Sequence, residues 1–142
     1  MTVTTMLERT DTASTPLRVS LLVIGASQLG FGALFLLVPS IARHLFGLTP
    51  DAPAWAHWLN VMLAARFLGY AAGMFVASRA PRRHVAWINT MIFVQLVDWV
   101  ATLYYLSTGD LTFRQVSTAC ALPVVFIAPL LWWHPRRDGA RA

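Results

Sequence analysis

The stretch HWLNVMLAARFLGYAAGMFVAS, residues 57–78, decides the fold, because it is long enough to cross a membrane and contains one charged residue, Arg66. A helix needs roughly 20 apolar residues to span the hydrocarbon core of a bilayer. Three further runs meet this requirement, at about residues 17–38, 85–106 and 115–133. All four are continuously apolar and do not alternate, which excludes the strands of a membrane barrel. The sequence therefore predicts an all-α fold, an integral membrane four-helix bundle.

We expect no second domain, because the segments that join the spans are short. Of the 142 residues, 57% are hydrophobic and 12% are charged, whereas a soluble domain carries roughly a quarter charged residues. We expect a transmembrane domain over residues 17–134, a disordered tail at 1–16 and a basic tail at 135–142. Between the first two spans, PSIARHLFGL (residues 39–48) places apolar residues on one helical face and is too short to cross. It predicts a short helix lying on the membrane surface.

The chain is basic, with a formal net charge of +5, but the positions of its charges argue against nucleic-acid binding. All eleven basic residues are arginines, and Arg66 lies inside a span. Arg43 and Arg114 fall on one side of the predicted membrane, and eight fall on the other: Arg9, Arg18, Arg79, Arg82, Arg83, Arg136, Arg137 and Arg141. Loops rich in Arg remain in the cytoplasm. The charge pattern therefore predicts a multi-pass protein whose N- and C-termini are both cytoplasmic.

The sequence contains no recognisable catalytic or metal-binding motif. Cys120 is the single cysteine, which excludes an intramolecular disulfide or a cysteine cluster. The HExxH, P-loop, GxSxG and dinucleotide-binding patterns do not occur. The four histidines fall at helix ends or in loops: His44, His57, His84 and His134. We therefore expect no catalytic residues, no metal and no cofactor, the alternatives being a haem held between His84 and His134 or a bound quinone.

Three polar side chains on different spans are predicted to meet at one depth. Counted at about 1.5 Å per residue from the helix ends opposite the termini, Gln28, Arg66 and Asp98 each fall roughly 12–15 Å into the membrane. An unpaired charge at the centre of a bilayer costs about 2.5–3.5 kcal/mol on insertion scales. A guanidinium can bind both oxygens of a carboxylate. The sequence therefore predicts that Arg66 pairs with Asp98 inside the bundle.

Other polar residues on the second and third spans lie near this depth. We call the whole set the polar level. Tyr70 lies one turn from Arg66, and the third span carries a single polar stripe at helical spacing. The residues expected to form the level, for ligand binding or for structure, are Gln28, Arg66, Tyr70, Gln95, Asp98, Thr102 and Tyr105. On the fourth span Pro123 has no N–H, which makes the carbonyl of Ala119 a further acceptor.

Small residues predict where the helices pack closely. The second span repeats a small residue at every fourth position, at Ala65, Gly69, Gly73 and Ala77. Such a small-xxx-small ridge lets two helix backbones approach each other. Gly25 and Gly32 serve the same purpose on the first span. Close packing would bring polar side chains of neighbouring helices within reach of one another.

Several interpretations of the predicted ion pair stay open. The pair can be structural and fix the register of the helices, or it can belong to a polar pocket that holds a small ligand or a lipid head group. A proton or ion path needs a continuous relay of groups, which one acid and one base do not provide. The remaining interpretation is a charged site for a partner subunit.

The layout of the first two spans resembles the DoxX-like group of small bacterial four-helix membrane proteins. The resemblance lies in GASQLGFGALFLLVPS (residues 25–40), a Gly-rich helix that ends at a proline, and in AARFLGYAAGM (residues 64–74), with its Arg-x-x-Gly. It implies a bacterial inner-membrane protein and a partnership with redox enzymes. Some members of the group are linked to quinone-coupled oxidation, and others to redox or stress complexes.

Together these features predict a non-catalytic inner-membrane protein. It would act as an accessory subunit or bind a small ligand or lipid, in contact with the bilayer and with a membrane partner or a second copy of itself. The alternative is a membrane redox component that handles quinone or a lipid-like substrate around Arg66 and Asp98.

Overall fold

The computed structural model describes residues 14–45 and 53–135, and within them the chain forms five helices. In chain order they are α1 Thr15–Leu37, α2 Pro39–Leu45, α3 Ala54–Arg79, α4 Val85–Thr108 and α5 Phe113–Trp132. The four long helices are long and apolar enough to cross a membrane, and the described residues contain no strand. The predicted all-α four-helix fold is confirmed. Most of the two predicted tails, residues 1–13 and 136–142, lies outside the described residues.

The helices end where local sequence signals stop them. Val38 precedes Pro39 and leaves the helical conformation, because the ring of a proline disfavours a helical residue before it. Gly109 ends α4 with φ at 81°, a left-handed conformation that glycine adopts without strain. At the start of α5, Thr112 and Gln115 form a reciprocal capping box, which satisfies backbone N–H groups of the first turn. The turn at residues 109–112 is short, so α4 and α5 lie next to each other.

One hydrophobic core joins all four long helices. It is built from the first half of α1 and of α4 and from the second half of α3 and of α5: Leu17, Leu21, Ile24, Met74, Ala77, Ile88, Met91, Phe126 and Leu130. Residues from opposite halves of successive helices meet only when those helices run antiparallel. The core therefore lies at one end of the bundle, the end that also carries the α3–α4 turn. We call it the termini end.

The four long helices form two pairs, α1 with α3 and α4 with α5, which contact each other less than the members within each pair do. Glycines let α1 approach α3 closely. A Cβ atom on Gly25 would lie 2.9 Å from Cε1 of Phe75, and one on Gly32 would lie 2.7 Å from Cδ2 of Leu68. Both distances are shorter than an ordinary carbon–carbon contact. These two glycines therefore allow the close helix packing that the sequence predicts.

The short helix predicted between the first two spans is present as α2. The part of the predicted segment beyond Leu45 lies outside the described residues. The side chain of Ala42 is fully buried against Phe35 of α1 and Ala64 of α3. This small cluster holds α2 against the first helix pair, at the end of the bundle opposite the core. We call it the α2 end.

The small-residue ridge predicted on α3 is only half buried, which corrects the expectation for Ala65 and Gly69. Both are exposed, and nothing lies within 4 Å of a Cβ atom placed on Gly69. Gly73 and Ala77 are buried, and a Cβ on Gly73 would overlap the ring of Trp87. Each step of four residues turns about 40° around a helix with 3.6 residues per turn. Three steps therefore carry the row about 120° from the outer surface of α3 into the bundle.

The two glycines of the ridge should respond oppositely to alanine. Gly73→Ala forces a methyl group into the Trp87 ring, and overpacking of this kind destabilises by about 1–3 kcal/mol. Gly69→Ala meets open space and improves helix propensity by up to about 1 kcal/mol. We expect a lower melting temperature in detergent for the first variant and an unchanged or higher one for the second. Equal losses would show that Gly69 also contacts a helix.

Candidate functional site

The structure joins Arg66 of α3 to Asp98 of α4, with 2.5 Å between Nη2 of the guanidinium and Oδ2 of the carboxylate. The contact therefore connects the two helix pairs. Its position differs from the expected one, because the two side chains remain 38% and 44% exposed and do not lie fully inside the bundle. The helices α3 and α4 belong to different pairs and contact each other less than the helices within a pair do. They therefore do not enclose the side chains of Arg66 and Asp98.

The guanidinium of Arg66 also contacts the ring of Tyr70. The central carbon of the guanidinium lies 5.8 Å from the ring centroid, within the range of a cation–π interaction. Tyr70 is one helical turn further along α3, where residues four apart are neighbours. An acid on one side and an aromatic ring on the other therefore hold the Arg66 head group in place.

A small polar space lies beside the ion pair. It has a volume of about 10 Å³, and its polar lining consists of Gln28, Arg66, Tyr70, Gln95 and Asp98. A space of this size holds one water-sized group. Five of the seven residues predicted to form a polar level are thus brought together, from α1, α3 and α4. The side chains of Gln28 and Gln95 are only 4% and 8% exposed.

Gln28 is the residue of this group whose hydrogen bonding is incomplete. Its Oε1 atom is buried and has no hydrogen-bond partner among the described residues. A buried polar atom without a partner destabilises the fold by about 1–3 kcal/mol. Such an atom in a native fold marks a place where a water or a ligand group belongs.

Thr102 and Tyr105, the other two predicted residues, do not line this space. The hydroxyl of Thr102 donates to the backbone carbonyl of Asp98 at 2.7 Å. Tyr105 is exposed and packs edge-to-face on Tyr104 with 5.4 Å between ring centroids. The polar stripe of α4 continues past the level toward the α2 end, so these residues lie roughly 6 Å and 10 Å further along the helix axis than Asp98.

A larger cavity of about 170 Å³ lies between the two helix pairs. Its apolar wall comes from both pairs: Phe31, Phe35, Leu63, Phe67, Leu122 and Phe126. The ring of Phe67 lies 5.8 Å from that of Phe31 and 6.0 Å from that of Phe35, centroid to centroid, in tilted arrangements. Gln28, Gln95, Asp98 and Thr118 supply its polar side chains. The cavity therefore has an apolar body and a few convergent polar groups.

Pro123 and Ala119 also line this cavity. Pro123 is buried in α5 and has no N–H to donate to the carbonyl of Ala119, as the sequence predicts. One residue further on, the indole N–H of Trp99 donates to the carbonyl of Cys120 at 3.0 Å. This hydrogen bond ties α4 to α5 beside the cavity, and the sequence gives no signal for it.

A second polar contact that the sequence did not predict lies at the termini end. Nε2 of His134 is 2.8 Å from Oδ1 of Asn89, which joins the residue after α5 to α4. The sequence places His134 at a helix end and does not predict this contact, for which the available signal is Asn89, an asparagine in an otherwise apolar run. Within residues 14–45 and 53–135 there is no group of three or more His, Cys, Asp or Glu side chains that could hold a metal ion.

Comparison of the chain with protein-family models, curated proteins and solved structures finds no match. The function is therefore argued from the geometry of the site. The two spaces, their polar lining and the ion pair between helix pairs are the features that bear on it.

The ion pair predicts a non-additive effect of neutralising its two members. Asp98→Asn alone leaves a guanidinium that cannot lose its proton, at a depth where an unpaired charge is costly. Arg66→Gln alone should be milder, because an isolated carboxyl can take up a proton and become neutral. The double variant leaves only uncharged groups and should be more stable than Asp98→Asn.

A double-mutant cycle on the melting temperature in one detergent near neutral pH measures this coupling. Contacting residues couple by about 0.5–3 kcal/mol, and we expect a coupling within that range. Losses that simply add would mean that Arg66 and Asp98 do not depend on each other.

The Trp99 hydrogen bond predicts a difference between two tryptophan variants. Trp99→Phe removes the donor to the Cys120 carbonyl and should lower the stability by about 1 kcal/mol. Trp132→Phe is the matched control, because Trp132 is 74% exposed. Thermal unfolding in detergent should separate the two variants, and identical melting temperatures would argue against the contact.

Proposed function

We propose that this protein is a non-catalytic bacterial inner-membrane protein that binds a small apolar ligand between its two helix pairs. The observation that carries the proposal is the cavity of about 170 Å³ lined by aromatic and aliphatic side chains from both pairs. Ligand sites are typically concave and mostly apolar, with a small number of polar groups that orient the ligand, and in helical bundles they lie between helices. The cavity has each of these properties.

The polar end of the cavity supports binding and orientation more than chemistry. Asp98 is the titratable side chain in its lining, and the carboxylate of Asp98 is already bound by Arg66. General acid–base catalysis needs a group placed to exchange a proton with the substrate. A carboxylate held by a guanidinium instead serves as a fixed acceptor beside the ligand.

The position of the cavity supports access from the bilayer. The core that closes the bundle lies at the termini end, while the cavity is lined by Phe35, near the last turn of α1, and by Leu63 in α3, both toward the α2 end. It is only partly enclosed. An apolar molecule dissolved in the membrane could therefore reach it sideways, without passing through the polar surface.

The arginine distribution supports an orientation with both termini in the cytoplasm, which puts the cavity in the outer half of the membrane. The layout of GASQLGFGALFLLVPS and AARFLGYAAGM, which resembles that of the DoxX-like group, supports membership of that group. A reporter enzyme that works only in the cytoplasm should be active when it is fused after Ala142, and one that works only in the periplasm should be inactive there. Activity of a periplasmic reporter at this position would reverse the orientation.

Occupation of the cavity can be tested by replacing each of two alanines of α5 with leucine. Ala119 lines the cavity, and Ala119→Leu would fill part of it. Ala121 is exposed and is absent from the cavity lining, so Ala121→Leu adds the same side chain elsewhere on the same helix. We expect mass spectrometry of the protein in mild detergent to find a small molecule with the unaltered chain and Ala121→Leu that is missing from Ala119→Leu.

The identity of the molecule also discriminates between functions. A bound quinone would favour a redox component over a simple binder. Identical co-purifying molecules in all three proteins would mean that they associate with the outer surface and that the cavity holds no ligand.

A further inference from the structure

We infer that the ligand is a neutral molecule the size of one six-membered ring that carries a hydroxyl group, with the ring in the larger cavity and the hydroxyl at the small polar space beside Arg66 and Asp98. This inference rests on the proposed function, because it names the class of ligand for the same cavity. It follows from the volumes of the two spaces and from the hydrogen-bonding groups on their shared wall.

The larger cavity sets the size of the ligand. Its volume is about 170 Å³, and an apolar protein cavity of about 150 Å³ accepts one benzene molecule. Phe31, Phe35 and Phe67 form one side of it. Aromatic rings pack favourably against one another in tilted and edge-to-face arrangements. A single ring therefore fits both the volume and the chemistry of the wall, whereas a lipid with two acyl chains would extend far beyond it.

The smaller space sets the position of one polar atom. Its volume of about 10 Å³ is enough for one oxygen atom. The two spaces have four lining residues in common, Gln28, Phe67, Gln95 and Asp98. They are therefore neighbours that share a wall, and we place the hydroxyl of a ring in the larger space at this wall, on the side of the smaller one.

The wall between the spaces selects a hydroxyl group. Asp98 offers carboxylate oxygens, which only accept hydrogen bonds, and Gln28 and Gln95 offer amides, which donate and accept. Oε1 of Gln28 is buried without a partner. A hydroxyl donates one hydrogen bond and accepts others, so it satisfies this wall for either orientation of the Gln28 amide. A hydrocarbon would leave the Gln28 amide unsatisfied.

The ion pair excludes a charged ligand. The small space is lined by one charge of each sign, Arg66 and Asp98, so an ion of either sign there would meet a like charge as well as an opposite one. Either ion would have to be moved from water into a membrane-embedded site that already contains one charge of each sign, at a cost that a neutral ligand avoids. The site therefore favours a neutral molecule.

The inference can be tested with phenol, anisole, toluene and benzoate as probes on the unaltered protein in one detergent. Binding is measured by the shift in melting temperature against the free probe concentration, because a ligand that binds the native state stabilises it. We expect phenol to bind with a Kd lower than that of anisole or toluene by roughly tenfold, the effect of one net hydrogen bond. Benzoate should not bind.

Three variants test the hydroxyl requirement and the cavity separately. Gln28→Met keeps the size of the side chain and removes its amide, so the preference for phenol over toluene should fall to about one while toluene still binds. Ala119→Leu fills part of the larger space, so that too little room should remain for phenol or toluene, and Ala121→Leu should keep both. The comparison of probes on the unaltered protein stands even if Gln28→Met fails to fold.

The outcomes distinguish the inference from the proposed function. Equal binding of phenol, anisole and toluene, all lost in Ala119→Leu, would overturn the hydroxyl requirement and leave the cavity as a ligand site. Binding of benzoate would overturn the requirement for a neutral ligand. Failure of all four probes to shift the melting temperature would overturn both the inference and the ligand-binding cavity on which it rests.

Discussion

The ion pair between Arg66 and Asp98 is the interaction on which the α2 end of the bundle depends. At the termini end, side chains from all four long helices form one continuous core. The two helix pairs contact each other less than the helices within each pair do, and toward the α2 end a cavity lies between them. The ion pair crosses from one pair to the other at the level of this cavity. Neither charge is stable alone at such a depth in a bilayer, so each fixes the position of the other's helix.

Each helix pair is held together by its own means. In the first pair, Gly25 and Gly32 bring α1 against α3 so closely that a methyl group at either position would be crowded. In the second, the Trp99 indole binds the Cys120 carbonyl of α5. Association of helices in lipid depends on close packing and on hydrogen bonds, because lipid tails are as apolar as the side chains. A cavity between two internally tight units can persist, whereas one within a loosely packed bundle would collapse.

The sequence was sufficient for the spans and for the ion pair, because both depend on one-dimensional constraints. The length of an apolar run fixes a membrane helix, and the distance of Arg66, Asp98 and Gln28 from the helix ends fixes their common depth. Which face of each helix is buried is harder to predict. The row from Ala65 to Ala77 winds around α3, and only the packing against Trp87 shows which part of it is buried.

The cavity itself could not be predicted, because its wall is made of residues that any membrane helix contains. Phe31, Phe35 and Phe67 are suitable for lipid contact, for a core or for a ligand site. What distinguishes these uses is the separation of the two helix pairs, a tertiary property that depends on many weak contacts at once. The same limit applies to Asn89 and His134, which lie 45 positions apart in the chain. Hydropathy identifies which residues enter the membrane. It does not show which helices lie next to each other, because an apolar face can contact lipid as favourably as it contacts another helix.

Buried polar groups are therefore the most informative residues in a chain of this kind. In water a glutamine such as Gln28 could be satisfied by solvent, but in hydrocarbon its amide must find a partner within the protein or in a bound molecule. Arg66 and Asp98 satisfy each other, whereas Oε1 of Gln28 has no partner among the described residues. The residue that remains unsatisfied lies on the wall shared by the large and the small space. Ligand specificity and helix register thus depend on the same level of the membrane, because the groups that hold the helices together there are also the ones that a ligand must contact.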